Sequence, residues 1–296
     1  DDLIQDVLIA GPNVYLATLN GVYVSSDQGR NWRTLSFTRS AYKLALAGST
    51  LFALAYTYAS PLGVPPFQVF RLNQDGSWTG FSVEPQSFGL YAIVGDGANL
   101  LAGTGGSGVL HSADKGQSWQ RINRGLAATS VVGFASIGST LYAAANGTGV
   151  FRSEDAGRSW TAINNGFKSL YVNAVAVNGS VLFAATPDGV YRSTDEGRNW
   201  INTGITGRYI SSFAFSDDNV FVSARTSFGG IGSPYGGGIF VSNNNGQSWR
   251  GLSSRMSAEG VNALLVKGPN LFAATDRGLL VSADNGLSWS QAAEDI

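Results

Sequence analysis

The chain has 296 residues, a net charge of −1 and only 13% charged residues, so it lacks the basic field that draws proteins to nucleic acid or anionic membranes. It has no cysteine, which excludes disulfides, thiolate catalysis and cysteine-ligated metals. Hydrophobic residues make up 44% of the chain, yet no apolar stretch approaches the roughly 20 residues that span a bilayer.

All seven tryptophans end one recurring octapeptide, Ser-x-Asp-x-Gly-x-x-Trp. The full pattern ends at Trp32, Trp119, Trp160, Trp200 and Trp289, whereas Asn244 replaces the aspartate ahead of Trp249, and a shortened form over residues 73–78 ends at Trp78. The intervals between tryptophans are 46, 41, 41, 40, 49 and 40 residues, the span of one four-stranded sheet with short turns. The sequence therefore predicts one unit repeated seven times within a single domain, residues 1–296.

Each copy is predicted to contain four strands, A to D, and copy 5 shows them most clearly. Alternating residues 172–177 predict strand A, and residues 181–186 predict strand B after the turn Asn178-Gly179-Ser180. Residues 190–193 predict strand C, and strand D begins at Trp200. The octapeptide forms the C–D hairpin between them.

The letters of the octapeptide fit a tight turn. Asp195 is expected to accept hydrogen bonds from backbone N–H groups of its own turn, Ser193 supplies a second polar group, and Gly197 is free to take a positive φ. Trp200 is expected to lie where adjacent units meet. Each of the seven units can bury one face only by stacking on a neighbour. Seven such units form a closed ring most simply.

The predicted fold is therefore an all-β, seven-bladed β-propeller of four-stranded antiparallel blades, with the octapeptide at each C–D hairpin. Because strand A of copy 1 begins near residue 4 and strand D of copy 7 ends near residue 292, we predict that no strand is exchanged at closure. Copy 1 simply packs on copy 7.

Seven in-phase copies of Ser-x-Asp-x-Gly-x-x-Trp resemble the Asp-box, or bacterial neuraminidase repeat. This motif is found in sialidases, xyloglucanases, sortilin-type receptors and propeller-type photosystem II assembly factors. The resemblance covers the whole chain and implies the propeller fold. It does not choose among these activities, because one fold carries many functions.

The B–C turns and the D-to-A connections share one end of the ring, which we call the loop face, and the A–B and C–D turns share the other, the turn face. The octapeptide acids Asp27, Asp114, Asp155, Asp195 and Asp284 fall on the turn face. Each turn offers one carboxylate, whereas calcium requires several oxygen ligands. We assign no metal and no cofactor.

Two copies carry long insertions between strands B and C. Residues 56–67 contain Tyr58, and residues 226–236 contain Phe228 and Tyr235. The insertions are three or four blades apart and so stand nearly opposite on the loop face, where exposed aromatics suit a sugar or a peptide. An equally open alternative is that they fold down as local core.

Basic residues occupy five of the six D-to-A connections, and tyrosines lie close to them. We predict a ligand-binding face from these groups and the insertions: Arg39, Tyr42, Tyr58, Tyr91, Arg124, Lys168, Tyr171, Arg208, Tyr209, Phe228, Tyr235 and Arg255. Such a set suits a carboxylate, an acidic sugar or an acidic segment of a partner. Scattered surface arginines are the alternative interpretation. When the seven strands A are aligned, one position near the entrance of the ring's central channel is occupied by Gln5, Tyr42, Tyr91, Val132, Asn173, Ser211 and Asn262.

A catalytic interpretation has little to support it. A glycosidase needs two facing carboxyl groups, and the closest pairing the ring allows is Asp6 with Asp276. The Arg-Ile-Pro motif of sialidases is absent. His111, the only histidine, lies on strand C, and the glycine-rich residues 103–108 join two strands and open no helix, so neither a catalytic triad nor a phosphate loop is indicated.

The sequence thus predicts a non-catalytic binding or assembly scaffold, monomeric and secreted to an extracellular or periplasmic space. Its loop face is expected to dock a protein segment or a glycan, with no nucleic acid involved. A glycoside hydrolase or lectin-like carbohydrate-binding module is the alternative.

Overall fold

The computed structural model describes residues 3–56, 67–83, 89–97, 99–127, 130–206, 208–216, 219–225, 238–252 and 260–292. Within these ranges the chain forms seven four-stranded antiparallel sheets, so it is an all-β, seven-bladed β-propeller, as predicted. Across the same ranges, no helix has the length and apolar character needed to cross a membrane.

Each blade takes four consecutive strands, and their bounds are as follows. Blades 1 and 2 contain β1 (Ile4–Ala10), β2 (Asn13–Thr18), β3 (Gly21–Ser25), β4 (Arg33–Thr34), β5 (Ala41–Ala47), β6 (Thr50–Tyr56), β7 (Phe67–Leu72) and β8 (Trp78–Ser82). Blades 3 and 4 contain β9 (Leu90–Asp96), β10 (Asn99–Thr104), β11 (Val109–Ser112), β12 (Gln120–Arg121), β13 (Val131–Ile137), β14 (Thr140–Ala145), β15 (Gly149–Ser153) and β16 (Thr161–Ala162). Blades 5 to 7 contain β17 (Ala174–Asn178), β18 (Val181–Thr186), β19 (Gly189–Ser193), β20 (Ile201–Asn202), β21 (Tyr209–Phe215), β22 (Val220–Arg225), β23 (Gly238–Ser242), β24 (Arg250–Leu252), β25 (Val261–Lys267), β26 (Asn270–Thr275), β27 (Gly278–Ser282) and β28 (Ser290–Gln291).

The first strand of each blade contacts the first strands of both neighbouring blades, and β25 contacts β1, so these seven strands form a closed inner ring. The fourth strands lie at the outside. The sheet of blade 1 uses only β1 to β4 and that of blade 7 only β25 to β28, so the described residues exchange no strand. The prediction about closure is confirmed. The Asn262 side chain contributes to closure by donating a hydrogen bond to the Ile4 carbonyl, at 2.9 Å.

The hydrophobic core lies between blades. Among the described residues, each of the seven clusters combines residues of two adjacent blades; Phe52 and Leu100, for example, share the cluster between blades 2 and 3. Leu16 and Phe272 share the cluster between blades 1 and 7. Since burying one phenylalanine contributes roughly 2–3 kcal/mol, blade packing is the main stabilising contact of the ring.

Copy 5 tests the strand predictions residue by residue. Strand B is confirmed at Val181–Thr186, but strand A begins at Ala174 and not at residue 172. One contact accompanies the later start, the pairing of Tyr171 with Asn146 of blade 4. The Asn173 N–H still bonds to the Ala185 carbonyl of strand B, at 2.8 Å.

Candidate functional site

The octapeptide turns use their acidic groups internally. In blade 4, Ser153 donates to Asp155 Oδ1 at 2.8 Å and accepts from the Gly157 N–H at 2.8 Å. The Ser159 N–H donates to Asp155 Oδ1 at 2.8 Å, and the Ser159 hydroxyl donates to Oδ2 at 2.6 Å. The predicted roles of serine and aspartate are confirmed. The residue before tryptophan, always Ser or Asn, was missed as a member of the motif.

These hydrogen bonds hold the five turn carboxylates ionised. The pKa of each falls from 3.8 to about 2, and the largest cause is the hydrogen bond from the side chain of the residue before tryptophan. The affected groups are Asp27, Asp114, Asp155, Asp195 and Asp284. Carboxylates committed in this way cannot act as general acids near neutral pH. In the part of the chain that the structure describes, no three His, Cys, Asp or Glu side chains gather into a metal-binding group.

Exposed apolar residues concentrate on the loop face. The described chain exposes seven large apolar side chains, and five of them belong to B–C turns, to D-to-A connections or to the inner strands beside these: Leu19, Tyr91, Leu170, Tyr171 and Tyr209. The other two, Ile201 and Leu287, lie on an outer strand and on an octapeptide turn. Apolar side chains collected on one face indicate a binding surface more than an even scatter would.

Three tyrosines dominate this surface. Tyr171 is 60% exposed, and Tyr91 and Tyr209 are each 43% exposed. The Tyr91 ring lies directly on the backbone of Gly105, where a Cβ would come within 2.9 Å of the ring. Tyr42, which the sequence places at the same strand position as Tyr91, is half-buried and packs against the cluster between blades 2 and 3.

The predicted basic residues differ in their surroundings. Arg124 and Lys168 are exposed in their connections, and the Lys168 N–H donates to the Tyr191 hydroxyl at 3.2 Å. The guanidinium of Arg39 lies over the Phe70 ring at 5.4 Å, and that of Arg208 lies over Phe240 at 4.9 Å. Each of these two cations therefore lies over an aromatic ring on the third strand of the blade that follows its connection.

Tyr58, Phe228, Tyr235 and Arg255 complete the predicted face, and all four lie outside the described residues. The predicted opposition of the two insertions, residues 56–67 and 226–236, lies almost entirely outside them as well.

The aligned position on strand A is a β-bulge in six blades. The register of the first strand shifts by one residue at Gln5, Tyr42, Tyr91, Val132, Ser211 and Asn262. A bulge re-aims a side chain, often beside a functional site. Two of these residues instead join blades: Ser211 donates to the Val261 carbonyl at 2.8 Å, and Asn262 makes the closing bond to Ile4.

The two carboxylates proposed as a pair are held by different partners. Asp6 forms an ion pair with Lys43 at 3.3 Å and accepts from the Leu44 N–H at 3.0 Å, which ties blade 1 to blade 2. Asp276 accepts from the Asn262 side chain at 3.1 Å. The Asp6 contacts join blades 1 and 2, whereas the Asp276 contact lies within blade 7.

His111 lies away from the loop face. It contacts Gln120 through Nδ1 at 3.3 Å and lines a cavity of about 650 Å³ between blades 3 and 4, together with Phe134, Glu154 and Arg158. The cavity includes the A–B turn and the octapeptide turn of blade 4, so it opens on the turn face.

A motif that sequence reasoning missed fixes the loop face of blades 3 to 5. The D-to-A connections begin with Asn-x-Gly followed by an apolar residue at 123–126, 164–167 and 202–205. Asn123 accepts from the Val109 N–H at 2.8 Å and donates to the Ser107 carbonyl at 2.7 Å. Asn164 makes the matching bonds to Val150 and Thr148, at 2.8 and 3.0 Å. The threefold recurrence was the available signal.

Comparisons with known proteins agree on the fold. A family model described as the DUF6242 beta-propeller domain matches residues 89–209, less than half of the chain. No curated protein sequence matches the chain significantly.

Among solved structures, the GH74 xyloglucanase from Xanthomonas campestris matches with a TM-score of 0.76 and 16% identity, over 97% of this chain and 52% of that one. The chain thus spans about half the length of this enzyme. YCF48 from Cyanidioschyzon merolae matches with a TM-score of 0.71 and 14% identity, over 96% of both chains. A structure of YCF48 bound to D1 peptide matches with a TM-score of 0.66 and 16% identity, over 95% of this chain and 91% of that one. Such low identities show the fold alone.

Proposed function

We propose that this chain is a non-catalytic binding scaffold of the Asp-box type, one propeller domain over residues 1–296, whose loop face docks a segment of a partner protein. The observation that carries the proposal is the concentration of exposed apolar side chains on that face, Tyr91, Tyr171 and Tyr209 among them. Tyrosine supplies large contact area at a low cost in conformational entropy and is enriched in interfaces. Lys168 and Arg208 add positive charge beside Tyr171 and Tyr209, which favours an acidic segment.

The propeller core supports a rigid role for this face. The Asn-x-Gly connections tie the B–C turns to the connections next to Tyr91 and Tyr171, so a partner meets a surface already held in shape. Pre-organisation lowers the entropic cost of binding. The structure of YCF48 with D1 peptide shows that a propeller of similar fold accommodates a peptide.

A carbohydrate-binding or glycoside hydrolase function is the second candidate. It is favoured by the flat ring of Tyr91 on Gly105, a geometry suited to stacking a sugar, and by the fold shared with the GH74 xyloglucanase. We propose that the protein works as a secreted monomer in either case.

Two double variants test these functions. Tyr171→Ala/Tyr209→Ala removes two of the three tyrosines of this surface, while Ile201→Ala/Leu287→Ala removes side chains that are 67% and 65% exposed elsewhere. Wild type and both variants are compared on a glycan array, in quantitative affinity capture, and in hydrolysis of xyloglucan. We expect capture of a specific protein that only the first variant loses.

Glycan binding that Tyr91→Ala abolishes would select the carbohydrate function, and turnover of xyloglucan would overturn the non-catalytic proposal. Equal losses in the two variants would contradict a specific role of the loop face in binding.

A further inference from the structure

The outer strand of blade 2 differs from all other outer strands. Among the described residues, strand β8 has five, Trp78–Ser82, whereas the outer strands of the other blades have two or three. Its sequence, Trp-Thr-Gly-Phe-Ser, contains no charge and no proline, the usual devices that prevent edge pairing. In blades 1, 3 and 6 the outer strand carries an arginine.

The backbone of β8 presents a free hydrogen-bonding edge. The Asn73 N–H bonds to the Ser77 carbonyl at 2.8 Å, and hydrogen-bonded pairs alternate along an antiparallel ladder, so Thr79 and Phe81 bond inward to β7. The N–H and carbonyl groups of Gly80 and Ser82 therefore point outward, and both residues are exposed. Within the described chain, β8 pairs with β7 alone.

A cavity of about 600 Å³ adjoins this edge on the side that faces blade 1. Phe37, Phe70 and Trp78 supply its aromatic wall; the rings of Phe37 and Trp78 are 4.7 Å apart. Gly80 opens it, because a Cβ there would lie 2.7 Å from Phe70.

Arg39 is the only charged side chain among the described residues that line the cavity. It is exposed, lies over Phe70, and takes part in none of the three ion pairs in the described chain. An acidic side chain entering the cavity would supply the missing counter-charge.

We propose that β8 adds an extended segment of a partner protein as a fifth strand of blade 2, with an acidic side chain of that segment in the cavity beside Arg39. In such strand addition the main-chain bonds give affinity and the pocket for alternate side chains gives selectivity. This edge is separate from the tyrosine surface of the loop face.

Random dodecapeptides displayed on phage and selected on the wild-type protein supply the probe. The enriched peptide is synthesised with a dye, and its binding is measured by fluorescence anisotropy. Ser82→Pro removes an outward N–H and leaves the inward ladder bonds in place, because proline is tolerated at such edge positions. Ser82→Thr is the matched control that keeps the N–H.

We expect selected peptides that carry Asp or Glu, with affinity reduced about tenfold or more by Ser82→Pro and several-fold by Arg39→Gln. Ser82→Thr and Tyr171→Ala/Tyr209→Ala should bind like wild type. If Ser82→Pro fails to fold, amide exchange at Gly80 and Ser82 of the wild type is measured with and without the peptide. Slower exchange with the peptide would support strand addition, and unchanged exchange would contradict it.

Failure to enrich any peptide, or peptides indifferent to both Ser82→Pro and Arg39→Gln, would overturn the proposal. Wild-type dimerisation that Ser82→Pro abolishes would also overturn it, since the edge would then belong to a second copy of the chain.

Discussion

The five full octapeptides form two kinds of blade interface. In blades 4 and 5 the tryptophan reaches back to the preceding blade: Trp160 Nε1 donates to the Ile122 carbonyl at 2.9 Å, and Trp200 Nε1 donates to the Ile163 carbonyl at 2.7 Å. Both indoles are only 3% exposed. In blades 1, 3 and 7 the indole N–H of Trp32, Trp119 and Trp289 bonds to the glycine of its own turn, at 3.0 to 3.1 Å, and the ring is half-buried.

The difference arises in the connection before the octapeptide. In the tight interfaces the Asn-x-Gly motif bends the connection against the next tryptophan, so that the Trp160 N–H bonds to the Arg124 carbonyl and the Trp200 N–H to the Asn165 carbonyl. Phe167 then stacks on Trp200 with ring centroids 4.8 Å apart. A repeat motif thus defines the turn, while its neighbour determines how firmly the blade is held.

Replacing the tryptophans should give the largest effects and test this difference directly. We expect Trp200→Ala to lower the free energy of unfolding by about 3–5 kcal/mol, because it removes a buried aromatic side chain. Trp289→Ala should cost roughly 1–3 kcal/mol, because its ring is half exposed and its N–H bond is local. Urea unfolding followed by circular dichroism measures both. Equal costs would show that the two kinds of interface are energetically the same.

The glycine of the Asn-x-Gly connection should be the next most sensitive position. Gly166 has φ of +100°, and a Cβ there would lie 2.2 Å from the Trp200 carbonyl oxygen. We expect Gly166→Ala to cost roughly 2–4 kcal/mol through strain and displacement of Trp200. Gly179→Ala is the control, since Gly179 has φ of +59° and open space around its Cβ, and it should cost only about 1 kcal/mol. If Gly179→Ala lowered the melting temperature more than Gly166→Ala, the contact between the connection and Trp200 would not be an important source of stability.

Acid should destabilise blades with a buried tryptophan and blades with a half-buried tryptophan alike, because each turn carboxylate is hydrogen-bonded within its own turn. Their pKa values are depressed, so the stability they contribute is complete above about pH 4 and is lost as pH falls through about 2. Asp155→Asn in blade 4 and Asp284→Asn in blade 7 should each flatten the decline in melting temperature between pH 4 and pH 2. The natural Asn244 turn supports this substitution, since its Oδ1 accepts from the Ser248 N–H at 3.0 Å. A flattening confined to one blade would contradict the expectation that the turns act independently.

The repeat, the blade and the turn could be predicted because each depends on residues close in sequence. Asp155, for example, bonds only within residues 153–159. The burial of the tryptophan at each interface could not be predicted. Trp160 and Trp289 belong to matching octapeptides and differ in their contacts with the preceding blade. Tyr42 and Tyr91 likewise share a predicted position, but one packs inward and the other rests on Gly105. Burial at such positions depends on contacts between units, which the pattern within one unit does not contain.

The smallest expected effect concerns the residue before glycine in the octapeptide. Ala156 and Lys115 both take positive φ, at 57° and 59°, as does Asn285 at 57°. Alanine and lysine are strained there, whereas asparagine tolerates this region. Ala156→Gly and Lys115→Gly should therefore raise the free energy of unfolding by about 0.5 kcal/mol each, and Asn285→Gly should change it little. Ala156 belongs to blade 4, whose tryptophan is buried, and Lys115 to blade 3, whose tryptophan is half-buried. Equal increases in melting temperature would therefore show that the backbone strain depends on the turn alone. A gain in blade 4 alone would mean that the packing of the buried Trp160 against blade 3 adds to the backbone strain at Ala156.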